Sequence, residues 1–144
     1  IFSSKNGIRG INDSYNANPD SVSAAIEVLR NMSCRGRRVL ILADMMELGE
    51  YSEIGHRKVG EKAVQSKVDI LITIGEKVKD ILQGALDNDM KEENIYCFSS
   101  NNDAISNLRK ILMPYDTVLI KGSRIMKLEE IADSLRERGF TKDE

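Results

Sequence analysis

Five short apolar runs, each followed by a helix-length amphipathic segment, leave this chain of 144 residues few folds to choose from. The runs are Ile8–Ile11, Val39–Leu42, Ile70–Ile74, Ile95–Phe98 and Val118–Ile120, all strand-sized and mostly β-branched. Helical spacing of apolar residues follows at about 20–32, 53–66, 77–86, 102–112 and 126–138. The first such segment opens on Pro19-Asp20-Ser21 and then repeats Val22, Ala25, Ile26 and Leu29 on one face. Strict alternation of this kind predicts an α/β fold, a Rossmann-like doubly wound sheet with helices on both faces. The sheet should be mostly parallel, of about five or six strands. Continuous runs such as Ile70-Leu71-Ile72-Thr73-Ile74 suit strands covered on both sides.

Composition narrows the class further. With 41% hydrophobic residues, the chain is one domain's worth and can bury a core without staples. Cys34 and Cys97 stand far apart beside apolar runs and read as buried or idle thiols. No metal-ligand spacing occurs, so no metal site is expected. The 21 basic and 23 acidic residues are interspersed, which argues against nucleic acid or an anionic membrane surface as partner. Apolar runs of strand length predict no membrane insertion. The opening Ile-Phe-Ser-Ser-Lys lacks the charged start of a signal peptide and an initiator Met, and reads as a fragment boundary. A reducing, cytoplasmic setting and a monomeric chain are the consistent expectations.

Loops leaving the carboxyl ends of parallel strands converge on one edge, where ligands bind. Three of them are unusually polar here. The first, Asn12–Asn18, carries Asp13, Tyr15, Asn16 and Asn18 ahead of a helix. The second follows Val39–Leu42 as Ala43-Asp44-Met45-Met46-Glu47-Leu48-Gly49, with Asp44 just beyond the strand and a Met pair able to line an apolar slot. The third, Lys121-Gly122-Ser123-Arg124, brings two cations and a hydroxyl to the start of a helix, an arrangement suited to phosphate or carboxylate.

Each loop also has a plainer reading. Asp13, Asn16 and Asn18 are common turn and cap residues. Tyr15 can pack its ring on the first helix, Asp44 can cap the next turn, Glu47 can be solvated, and Lys121 and Arg124 can neutralise surface acids. His56, the single histidine, has no neighbouring ligand residue, which favours a structural or orienting role over catalysis. Neither G-x-x-x-x-G-K-[ST] nor G-x-G-x-x-G is present, so this chain brings no phosphate-cradling loop of its own.

Taken together, the loops resemble one family. Asn12–Ser21 with Tyr-Asn-Ala-Asn-Pro preceded by an acid, Val39–Gly60 with Asp-Met-Met-Glu-Leu-Gly and His56, and Val118–Met126 with Leu-Ile-Lys-Gly-Ser-Arg are similar to the carboxyl-terminal domain of the Mur ligases of peptidoglycan synthesis. The match covers about residues 8–140 in order and spacing. Ala43 and Asn12 depart from it, since Gly and a second Asp are usual there.

The resemblance implies that residues 1–144 are one domain of a three-domain enzyme, with the amino-terminal UDP-binding and central ATPase domains absent. In the branch of the family with this first loop, ATP and Mg2+, both bound mainly by the central domain, activate the carboxylate of UDP-N-acetylmuramoyl-tripeptide as an acyl-phosphate. The amine of D-alanyl-D-alanine then displaces phosphate. By the same resemblance Asp13 accepts hydrogen bonds from the ribose of ATP, and Tyr15, Asn16 and Asn18 line the nucleotide or phosphate side. Asp44 borders the same cleft, and Lys121, Ser123 and Arg124 face the dipeptide or the transferring phosphate, where they act as the catalytic cations and hydroxyl. Two other readings compete. One is a free-standing module binding a nucleotide or phosphometabolite at that edge. The other is a phosphoacceptor receiver domain, which fits less well because Asn12-Asp13 replaces paired acids and Gly follows Lys121.

Overall fold

A computed structural model describes residues 2–4, 6–13 and 17–138. Its six strands are β1 (Phe2–Ser3), β2 (Arg9–Asp13), β3 (Arg38–Ala43), β4 (Ile70–Ile74), β5 (Ile95–Phe98) and β6 (Thr117–Lys121). The helices are α1 (Pro19–Asn31), α2 (Ser52–Gln65), α3 (Lys79–Asp87), α4 (Asn101–Ile111) and α5 (Glu129–Arg138). Every apolar run seen in the sequence is a strand and every amphipathic segment a helix, to within about three residues at the ends. The unforeseen element is β1, which pairs antiparallel with β2 through Phe2↔Gly10. The Phe2 ring lies where a Cβ of residue 10 would be, so this edge closes only over glycine.

The strands form one sheet in the order β1-β2-β6-β3-β4-β5, with all neighbours from β2 to β5 parallel. Chain direction across the sheet explains which face each helix takes. From β2 to β5 the chain steps in one direction across the sheet, and right-handed crossovers place α1, α2 and α3 on one face. There Val22, Ile26, Leu29, Val59, Ala63 and Ile81 pack on Leu40, Leu42, Leu71 and Leu119. The return from β5 to β6 reverses direction, so α4 and α5 cover the other face. Ala104, Leu108, Ile131 and Leu135 pack there with Val39, Ile41, Ile72, Val118 and Ile120. β6 therefore lies between β2 and β3, yet its following helix goes to the face opposite theirs. The connections diverge at this point, and a crevice opens at the carboxyl edge.

Local chemistry fixes the helix that borders the crevice. Asn18 caps α1 by accepting the Ser21 N–H at 2.8 Å, and Ser21 Oγ accepts the Asn18 N–H at 3.1 Å. Pro19 sits in the first turn, Asp20 follows it, and Arg30 lies in the last turn, all matched to the helix dipole. At the opposite edge of the sheet, the Arg37 guanidinium forks onto the buried Asp116 carboxylate at 3.1 and 2.8 Å. That bond to Asp116 holds the Arg37 proton more tightly than in a free arginine. The far edge is thus secured by a half-buried arginine on a buried carboxylate, at the opposite ends of the strands from the crevice. Helices α2 and α3 meet backbone to backbone: a Cβ at Gly60 would strike the Ile81 carbonyl, and one at Gly84 would strike that of Arg57.

Candidate functional site

Lys121 ends β6, and its neighbours in the sheet put it directly beside Asp13 at the end of β2. Strand alternation sends both side chains to the face covered by α1, the side of Leu119 and Ile11. Lys121 Nζ meets Asp13 Oδ2 at 3.1 Å, with the lysine side chain only 4% exposed and the aspartate 48% exposed. A cation is thereby held under the surface by a carboxylate that still faces solvent. Burying an ammonium is costly without such a partner, so Lys121 needs Asp13 more than Asp13 needs Lys121.

At the same carboxyl edge of the sheet is a cleft of about 530 Å³, which neither Asp13 nor Lys121 lines and whose walls come from three loops: Ala17 and Asn18 before α1, Met46, Glu47 and Leu48 after β3, and Ser123, Arg124 and Ile125 after β6. Ser123 Oγ accepts the Met46 N–H at 3.3 Å and ties two of these loops together. Close approach is possible because residue 122 is glycine. A Cβ there would lie 2.6 Å from the Leu128 side chain and 2.9 Å from that of Ala43. Glu47 holds a left-handed backbone with φ of 62°, which turns the second wall sharply before α2. Beneath that wall, buried His56 accepts the Met45 N–H at Nε2 over 3.0 Å.

The structure brings the expected residues together unevenly. Asp13 and Lys121 form the ion pair, while Asn18, Ser123 and Arg124 line the cleft. Asn18 also spends its side-chain oxygen on the helix cap. Asp44 is 7% exposed, and both carboxylate oxygens are taken by backbone amides, Oδ1 by Lys77 at 2.8 Å and Oδ2 by Glu76 at 3.1 Å. Its carboxylate holds the turn from β4 into α3, and Asp44 is not among the residues lining the cleft. Tyr15 and Asn16 lie outside the described residues. Of the Met pair, Met46 lines the cleft and Met45 is buried in the core. Leu48 and Ile125 are cleft residues that the sequence did not single out, because one apolar residue in a loop carries no periodic signal. Neither cysteine is fully buried: Cys34 is half-buried, Cys97 is exposed, and both are free thiols. Among the described residues, no three His, Cys, Asp or Glu side chains are placed to hold a metal ion, and no helix is long and apolar enough to cross a membrane.

A doubly wound sheet with a polar cleft at the switch point of its carboxyl edge defines a Rossmann-like domain. The family model described as Mur ligase, glutamate ligase domain matches residues 1–124, and the chain belongs to that family. It is similar to the UDP-N-acetylmuramoyl-tripeptide--D-alanyl-D-alanine ligase of Bacillus subtilis, 33% identical over 95% of this chain and 30% of that protein. The enzyme of the same name from Escherichia coli is 35% identical over 90% of this chain and 27% of its own length. Among solved structures, MurF from Acinetobacter baumannii superposes with a TM-score of 0.82 at 27% identity, over 96% of this chain and 30% of that one. The MurF ligase of Thermotoga maritima, solved in complex with ADP, shares the fold with a TM-score of 0.74 at 24% identity, over 94% of this chain and 29% of that one. This chain therefore spans about 30% of the length of the relatives it matches.

Proposed function

We propose that this domain completes the active site of an ATP-dependent amide ligase that adds D-alanyl-D-alanine to UDP-N-acetylmuramoyl-tripeptide in the bacterial cytoplasm. The observation that carries the reading is Lys121, buried at the end of β6 and held by Asp13 at the sheet edge whose cleft offers Ser123 and Arg124. A preorganised cation in a shielded position stabilises the negative charge that builds up as a phosphoryl group is transferred or a phosphate leaves, more strongly than a solvated one does. Asp13 would keep Lys121 aimed while its solvent-facing side accepts hydrogen bonds from ribose hydroxyls. Ser123 and Arg124 would orient the dipeptide or the departing phosphate from the opposite wall.

The described residues suit the phosphates of ATP better than they suit Mg2+. By the family resemblance, the ion would be held mainly by the rest of the ligase, which would also supply the phosphate-cradling loop that this sequence lacks. The domain's role is then closure. Ile125 at the cleft is 69% exposed, and Tyr51 and Ile54 in the segment after Leu48 are 65% and 54% exposed, an apolar rim suited to a second domain. Closure over the reacting groups would keep water from hydrolysing the activated carboxylate.

The chain alone should fold as a monomer and hydrolyse no ATP. In the complete ligase, phosphate release should depend on both the tripeptide and the dipeptide. Robust ATP hydrolysis by the 144-residue chain would overturn the proposal, and nucleotide binding with no phosphate release by the complete protein would point to a binding module instead.

A further inference from the structure

His56 has no place in the chemistry above, yet it is fully buried directly under the cleft wall. Its Nδ1 lies 2.7 Å from the Ser52 carbonyl oxygen, and its Nε2 lies 3.0 Å from the Met45 amide nitrogen. A carbonyl oxygen has no proton to give, and an amide N–H has no lone pair to offer. Both bonds therefore form only in the neutral ring that carries its proton on Nδ1. The next amide along, Met46, donates to Ser123 Oγ. Two successive backbone N–H groups are thus gripped from opposite sides, by α2 and by the loop after β6. Past them the chain turns through the left-handed Glu47 and forms the Met46–Leu48 wall.

We infer that His56 is a positioning residue, setting the Met46–Leu48 wall against Ser123 and Arg124 through the Met45 amide. This rests on reading the cleft as a substrate face of the ligase. Without the Nε2 acceptor, the Met45 N–H is left buried without a partner, the loop relaxes, and Met46 loses its alignment with Ser123. His56→Gln can return an acceptor oxygen close to the Nε2 position, whereas His56→Leu fills a similar volume and offers none.

The first arm of the test uses this chain and is independent of any ligase activity. Long-range 1H–15N correlation should find His56 protonated on Nδ1 and bare on Nε2. In His56→Leu the Met45 and Met46 amides should exchange about tenfold faster, with Val59 and Ala63 on the same helix unchanged, and His56→Gln should restore protection. The opposite tautomer, or faster exchange spread evenly along α2, would overturn the inference. The second arm uses the complete ligase. His56→Leu should raise the KM for dipeptide or nucleotide about tenfold at a temperature where the variant is still fully folded, though its melting temperature falls by several degrees, and His56→Gln should recover most of both. Unchanged kinetics in His56→Leu, alongside loss of turnover in Lys121→Met, would overturn the inference and leave the ligase reading standing. Unchanged kinetics in both variants would remove the reading of this edge as a substrate face, and the inference with it.

Discussion

Lys121 and Asp13 end neighbouring parallel strands at the same register level, and their charges meet at 3.1 Å although one side chain is 4% exposed and the other 48%. The pair is therefore asymmetric. Asp13→Asn leaves a buried ammonium with no counter-charge and should cost about 2–3 kcal/mol. Lys121→Met leaves a carboxylate that water already solvates and should stay within about 1 kcal/mol of the parent. Urea unfolding of the two variants checks this, and equal losses would contradict the burial argument.

Asp44 is placed to stabilise the turn that leads from β4 into α3. Both of its oxygens accept backbone N–H groups from the turn that opens α3, and hydrogen bonds to a charged acceptor are worth roughly 1.5–3 kcal/mol. Asp44→Ala should lower stability by about 2–3 kcal/mol, while Asp44→Asn, which keeps one acceptor, should lose roughly half as much. Calorimetric melting of both variants is the check, and an unchanged melting temperature in Asp44→Ala would return the residue to the nucleotide.

Glycine to alanine in an exposed helix usually stabilises it. Gly60→Ala and Gly84→Ala should do the reverse, because either methyl group enters the carbonyl of the facing helix. Forced separation of α2 and α3 should cost about 2–3 kcal/mol in each case, read from the midpoint of urea unfolding.

Glu27 donates nothing to the cleft but reports on pH. Its hydrogen bond and charge contact with Lys62 hold its proton affinity below a free carboxylate's 4.5. A carboxylate whose folded pKa is lowered contributes stability that is present above 4.5 and lost as pH falls through the folded value. The melting temperature of the parent should therefore exceed that of Glu27→Gln near neutrality and converge with it in acid. The gap should also shrink with added salt, because the group is solvent-exposed.

How much of this was legible beforehand depended on whether the information was local. Buried strands and amphipathic helices are periodic, so β2 to β6 and all five helices could be read from spacing alone. β1 could not, since two residues show no period and owe their place to pairing with β2. Lys121, Ser123, Arg124 and Asn18 were visible as polar residues just beyond strands or before a helix, which is where a parallel sheet gathers its ligand contacts. The commitment of Asp44 was not visible, because its partners Glu76 and Lys77 lie on a different loop, brought near by the pairing of β3 with β4. Nor was the anchoring of Met45 by His56, since helical spacing says which side of α2 is buried but not which backbone amide waits there.

On the proposed function, buried Lys121 serves the reaction while the fold does not need it. The most direct measurement is turnover of the complete ligase carrying Lys121→Met, set beside the unfolding free energy of the same variant. Turnover should fall by at least about a hundredfold, of the order of one lost charge-stabilising group, with stability within about 1 kcal/mol of the parent. Parent-like turnover, or a fall matched by unfolding of the domain, would contradict the account.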